Sequence, residues 1–227
     1  MDRQYTYTRP ADIEKESMRI IEEEMAEKAI RIPDDQLAVV KRVIHTTADF
    51  DYGENLRFTE GAVSRSLQTL GQGGAVFITD TNMALSGISK PSLEKLSARA
   101  FCYMARPEIM ERAKAEGKTR AAVSMEQGAE DYPEGIFVSG NAPTALITLS
   151  KLIREGLRPS LVIGVPVGFV NVVESKEELF AVCREADVPA IVAFGRKGGS
   201  NVAASICNAL LYSAAGTIDP VKRGWQV

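Results

Sequence analysis

A chain of 227 residues, 45% hydrophobic and 25% charged, can bury a full core without disulfides or a structural metal. Its formal net charge of −3 excludes the global basic field that attracts nucleic acid, so an anionic ligand has to be held by local groups. Cys102, Cys183 and Cys207 are scattered, odd in number and without C-x-x-C spacing, and there is one histidine, so no zinc site is expected and the thiols read as those of a cytoplasmic protein. The opening Met1-Asp2-Arg3-Gln4-Tyr5-Thr6 has no apolar h-region, and no apolar run is long enough for a membrane span.

The first third of the chain predicts helices. Residues 11–30 carry Ile13, Ser17, Ile20, Ile21 and Met25 at helical spacing, with acids on the other positions. Asp34 is a candidate N-cap for a second helix, whose inward stripe is Leu37, Val40 and Ile44 and which ends near His45. Val63, Leu67 and Leu70 mark a third helix from Glu60 to Leu70. From Ala75 the pattern changes to short apolar runs at 75–78, 100–104, 136–138, 161–165 and 190–194, separated by amphipathic segments. Runs with so little alternation suit strands covered on both faces. Between them, Asn141 precedes Ala142-Pro143, and Ser175-Lys176-Glu177-Glu178 reads as a capping box. The expectation is a single α/β domain over residues 1–227: a three-layer, doubly wound, mostly parallel five-stranded sheet with an N-terminal helical segment. Such sheets bind ligands where their strands end.

Four turns follow predicted strands. Gly195-Arg196-Lys197-Gly198-Gly199-Ser200-Asn201 opens a helix, where glycines admit a ligand to backbone N–H groups and the helix start favours negative charge. It matches neither the Walker nor the dinucleotide pattern, and an anion site is favoured over a solvated tight turn. The turn over residues 164–171 is apolar and reads equally as a pocket lining or a buried crossover. In Ser139–Thr144, Asn141 is a helix cap with amide hydrogens to spare for a ligand. In Thr79-Asp80-Thr81-Asn82-Met83, Asp80 is either a cap or a ligand contact. Arg120 opens an apolar segment and is a candidate partner for a ligand carboxylate or a surface acid. The single histidine, His45, reads on pattern alone as a half-buried helix-end residue. The chain has no G-x-S-x-G elbow to make it part of a hydrolase triad.

In order and spacing, these segments resemble the precorrin-8X methylmutase family, including its cobalt-precorrin-8 branch. The likeness runs from Lys15-Glu16-Ser17 to about Leu211. It rests on Val43-Ile44-His45, Asp80-Thr81-Asn82-Met83 with Gly87, Gly140-Asn141-Ala142-Pro143-Thr144-Ala145, Pro166-Val167-Gly168-Phe169-Val170 with Glu174-Ser175-Lys176, and Gly195–Ser200. The resemblance implies an isomerase of cobalamin biosynthesis that moves a ring methyl from C-11 to C-12 of a corrinoid, needing neither a methyl donor nor a cofactor. It implies that His45 is proton donor and acceptor, and that Ser17 and Arg120 contact substrate. Asp80, Thr81, Met83, Asn141, Gly198, Gly199 and Ser200 are then further substrate-binding candidates, with no metal ligand among them. A flavodoxin-like arrangement and a homodimer are implied as well. The competing reading is a corrinoid carrier that binds without chemistry.

Overall fold

The computed structural model describes residues 7–224. Met1–Thr6, where the absence of a leader was read, lies outside the described residues. Helices α1 (Pro10–Glu27) and α2 (Asp34–Thr47) pair, followed by the single turn α3 (Tyr52–Asn55), strand β1 (Leu56–Phe58) and α4 (Ala62–Gln72). Then come β2 (Val76–Thr79), α5 (Asn82–Gly87), α6 (Lys90–Lys95), β3 (Arg99–Cys102), α7 (Pro107–Glu116) and α8 (Arg120–Asp131). Next are β4 (Ile136–Ser139), α9 (Pro143–Arg154), β5 (Leu161–Gly164), α10 (Val172–Glu185), β6 (Ala190–Ala193) and α11 (Ser200–Ala214), with a 3-10 turn at Pro220–Arg223.

All the predicted strands form, but the sheet has six strands rather than five, in the order β1-β6-β5-β4-β2-β3. The unpredicted strand is β1, which pairs antiparallel with β6 through Leu56↔Ala193, Arg57↔Val192 and Phe58↔Ile191. Three residues are too few to leave a readable alternation, and the exposed Arg57 suits a sheet edge. The other pairings are parallel. Side chains alternate strictly between two cores. Phe77, Ile136, Val138, Leu161, Ile163 and Ile191 face α1, α2, α4, α5, α6 and α11. Ile78, Phe137, Val162 and Val192 face α7–α10. From β2 the chain moves outward to β3, then returns across β2 to β4, β5 and β6, so the order reverses between β2 and β4.

Four local expectations need correction. The buried row of α1 is Ala11, Glu14, Ile21 and Met25, whereas Ile13 and Ile20 are exposed. Asp34 begins α2 without capping it, because Pro33 occupies the cap position. Ala142 rather than Asn141 holds the cap position of α9, without a side-chain bond. Ser175 lies within α10 and donates to the Val172 carbonyl at 3.1 Å, so there is no capping box; the left-handed Asn171 starts that helix earlier.

Candidate active site

Where the order of a parallel sheet reverses, ligands bind in the crevice at the carboxyl ends of the strands, and here the order reverses between β2 and β4. Asp80, the residue after β2, stands at that end. It is fully buried. Its Oδ1 accepts the Gly140 N–H at 2.9 Å, and its Oδ2 accepts the Asn141 and Ala142 N–H groups at 2.8 Å and the Ser139 hydroxyl at 3.1 Å. Burial pushes the Asp80 carboxyl above its ordinary range, against the pull of those four donors. The carboxylate therefore builds the β4–α9 turn, neither capping α5 nor lying open to a ligand. Thr81 is the cap of α5, accepting the Ala84 N–H at 3.0 Å, and its hydroxyl lies 2.8 Å from the Ser200 hydroxyl.

The glycine turn after β6 closes onto the same place. A Cβ on Gly140 would stand 2.7 Å from Ser200 Cα, so the β4 turn and the start of α11 touch through bare backbone. Gly199 N–H donates to the Val165 carbonyl at 2.8 Å, and Gly168 N–H to the Arg196 carbonyl at 3.2 Å. Lys176, missed as a functional candidate because it sat in a segment read as a capping box, is fully buried. Its ammonium donates to the Gly195 and Lys197 carbonyls, both at 2.8 Å, and burial lowers its pKa to about 8. Lys197 is not available to an anion: it binds Asp49 at 2.5 Å and Asp51 at 2.6 Å, and these raise its pKa. Arg196 lies 5.4 Å from the Phe169 ring centroid. What the turn offers a ligand is the first turn of α11, whose N–H groups lack intrahelical partners.

The Lys197 bridge ties this turn to the end of α2, which carries His45 in its last turn. His45 is half-buried. Burial first, then Arg42, holds the imidazole below its usual range; Glu14 opposes this and Arg223 adds to it. At neutral pH it is thus a proton acceptor. Arg120 is exposed at the start of α8 and has no ion-pair partner among the described residues. The preceding Thr119 shares a hydroxyl bond of 2.8 Å with Thr144, which ties the start of α8 to the start of α9. Asn141, before α9, is exposed. Phe169 and Val170 are 81% and 76% exposed, so the apolar turn after β5 is an open face rather than a buried crossover, and Met83 of α5 is 72% exposed. Ser17 stands apart. Its hydroxyl turns back to the Ile13 carbonyl at 2.8 Å, and among the described residues no hydrogen bond ties its side chain to the glycine turn.

Comparison with known proteins identifies the family of the chain. The model of the precorrin-8X methylmutase family matches residues 12–213. The chain belongs to the precorrin-8X methylmutase family. The cobalt-precorrin-8 methylmutase of Salmonella typhimurium is 45% identical over 77% of this chain and 80% of that protein. The precorrin-8X methylmutase of Pseudomonas aeruginosa is 37% identical over 79% and 85%. A crystal structure of precorrin-8X methylmutase from Thermus thermophilus, 38% identical, superposes with a TM-score of 0.79 over 90% of this chain and 98% of that one.

The matched stretch of this methylmutase-family chain holds every residue named in the site above except Arg223. Within it, Gly198 tolerates no side chain: a Cβ there would lie 2.2 Å from the Val165 carbonyl oxygen and 2.8 Å from that of Pro166. Gly198→Ala is expected to force the glycine turn away from the β5 loop, at about 1–3 kcal/mol of stability. A fall in melting temperature together with weaker corrinoid binding would be read by thermal unfolding and absorbance titration. An unchanged melting temperature and affinity would contradict the close approach.

Proposed function

We propose that this chain is an isomerase of cobalamin biosynthesis that moves a methyl group from C-11 to C-12 of precorrin-8X or cobalt-precorrin-8, giving hydrogenobyrinic or cobyrinic acid. The observation that supports the assignment to this site is the Lys197 bridge to Asp49 and Asp51, which ties the segment just after the helix of the sole histidine to the glycine turn at the carboxyl edge of the sheet. In the reaction the C-11–methyl bond breaks as the C-12–methyl bond forms, with no net oxidation and no external methyl group. His45 gives a proton to the ring nitrogen near the migrating methyl, making the conjugated system electron-poor, and recovers it when the product forms. The exposed apolar residues Met83, Phe169 and Val170 lie against the ring. The α11 start with Gly198, Gly199 and Ser200, the Asn141 amide and the Arg120 guanidinium hold the peripheral carboxylates. Asp80 and Thr81 serve by building the turns, and Ser17 approaches the substrate from α1.

The same reading makes the chain one corrinoid-binding domain, flavodoxin-like in its five parallel strands (β3-β2-β4-β5-β6), working as a cytoplasmic homodimer. The test is incubation of the purified chain with precorrin-8X and, separately, cobalt-precorrin-8. Conversion of either, seen as a change in absorbance and a carbon-bound methyl resonance newly assigned to C-12, is the expected result. Tight binding without that conversion would replace the isomerase with a carrier. Light scattering tests the dimer.

A further inference from the structure

Three charged residues are buried among the described residues: Glu14, Asp80 and Lys176. Glu14 lies between Arg42 and Arg223, and Asp80 accepts four hydrogen bonds. Lys176 has no acid within ion-pair distance among the described residues. Its ammonium donates to the Gly195 and Lys197 carbonyls alone, which leaves one of its three N–H bonds and its charge unmatched. An uncompensated cation costs stability in a protein interior, and an apolar side chain of similar volume would not. The two carbonyls it holds show what the cation does. No peptide bond among the described residues is cis, so each C=O points opposite to the N–H that follows it. Drawing the Gly195 and Lys197 carbonyls inward therefore turns the Arg196 and Gly198 N–H groups outward. Neither N–H has an acceptor among the described residues, and the turn is exposed from Gly195 to Lys197. The turn thus presents free donors with a buried positive charge behind them, beside the first turn of α11.

We propose that Lys176 is a positioning and specificity residue: it aims the free N–H groups of the glycine turn at a peripheral carboxylate of the corrinoid, and its charge makes the turn select that carboxylate over a neutral amide. The inference rests on the reading of this turn as a carboxylate site, given above, and deepens it. An ammonium sealed under the turn acts through protein rather than water and is already oriented when the ligand arrives. Burial alone lowers its pKa to about 8, so the amine is mostly charged at neutral pH and loses its charge just above. The other charges on the surrounding elements are engaged or exposed. On α9, Arg154 pairs with Glu178 and Lys151 with Glu155. On α10, Glu174, Glu177, Arg184 and Glu185 are exposed. Lys197 pairs with Asp49 and Asp51, Arg196 is exposed beside Phe169, and Arg57 of β1 lies over the Phe194 ring. β5, β6 and α11 carry no charged residue.

The probes are hydrogenobyrinic acid and its fully amidated form, which is neutral and nearly isosteric, titrated by absorbance. Lys176→Met should weaken binding of the acid by about 10–50-fold and of the amide by about 3-fold or less. In turnover, KM should rise by far more than kcat falls. Raising the pH from about 7 to about 9.5 should weaken acid binding to the unaltered chain by about 5–20-fold and leave amide binding unchanged. The neutral amine still has two N–H bonds for the two carbonyls, so this step removes the charge while the turn stays held. Lys176→Met should lack that pH dependence. Equal losses for acid and amide in the variant would overturn the proposal, as would acid binding to the unaltered chain that ignores the pH, and Lys176 would then be only a prop for the turn. If Lys176→Met does not fold, the pH titration of the unaltered chain decides between the same two results. Acid binding without turnover would remove the isomerase and leave the role of Lys176 standing. Failure of the unaltered chain to bind either probe would overturn the corrinoid reading of the site, and this inference with it.

Discussion

Replacing His45 by alanine is expected to slow the methyl migration by about 10²–10⁴-fold while changing corrinoid affinity only slightly. The side chain is half-buried at the end of α2, and burial first, then Arg42, biases it toward the neutral form. It can therefore take up and return a proton within one catalytic cycle, and no second histidine can substitute. Single-turnover absorbance separates the two effects: binding persists and the later spectral change is lost. The same variant also alters the pH dependence of folding. The unfolded chain binds a proton at this position near 6.5, whereas the folded chain binds it only at lower pH. The stability contributed by neutral His45 is thus complete above pH 6.5 and is lost as the pH falls toward the folded midpoint. His45→Ala should lack that slope in urea unfolding between these values. Turnover at the wild-type rate would remove His45 from the mechanism.

Asp80→Asn should be the most damaging isosteric change at the crevice. Both carboxylate oxygens are accepting, three bonds coming from consecutive backbone N–H groups and one from Ser139. An amide has one acceptor oxygen, so its NH₂ must face at least one buried N–H. The cost is about 2–4 kcal/mol, which for a chain of this size lowers the melting temperature by roughly 5–15 °C. Corrinoid binding should weaken in parallel, because the Gly140–Ala142 turn and the α11 start are in contact. Calorimetry that finds the variant as stable as the wild type would show that the four bonds carry little of the turn's energy.

The parallel part of the fold was legible because β2, β4, β5 and β6 are apolar on both faces, leaving continuous runs that a helix of the same length would not need. β1 was invisible because its three residues form only because β6 offers a free edge. The turns that make up the site could be read from glycines following apolar runs. Their internal chemistry could not. Asp80 had two ordinary explanations, and its actual partners lie about sixty residues away in the chain. Lys176 looked like part of a polar helix start, and its burial depends on carbonyls supplied by the next turn. Glu14 did leave a trace, as an acid in register with Ala11, Ile21 and Met25, and that register was the clue to its burial. His45 was picked out by its family context, since a lone histidine at a helix end carries no chemistry by pattern.

The bridge from Lys197 to Asp49 and Asp51 spans 148 and 146 positions of sequence, and the Thr81–Ser200 bond spans 119. A site sewn together by such distant stitches exists only once nearly the whole chain has found its place, since contacts of this separation form late when loop closure governs the order of folding. A ligand that needs these stitches cannot recognise a half-formed chain. Its expected kinetic mark is slower unfolding with refolding speed left unchanged, so the substrate would act as a latch on the finished molecule rather than as a template for making it.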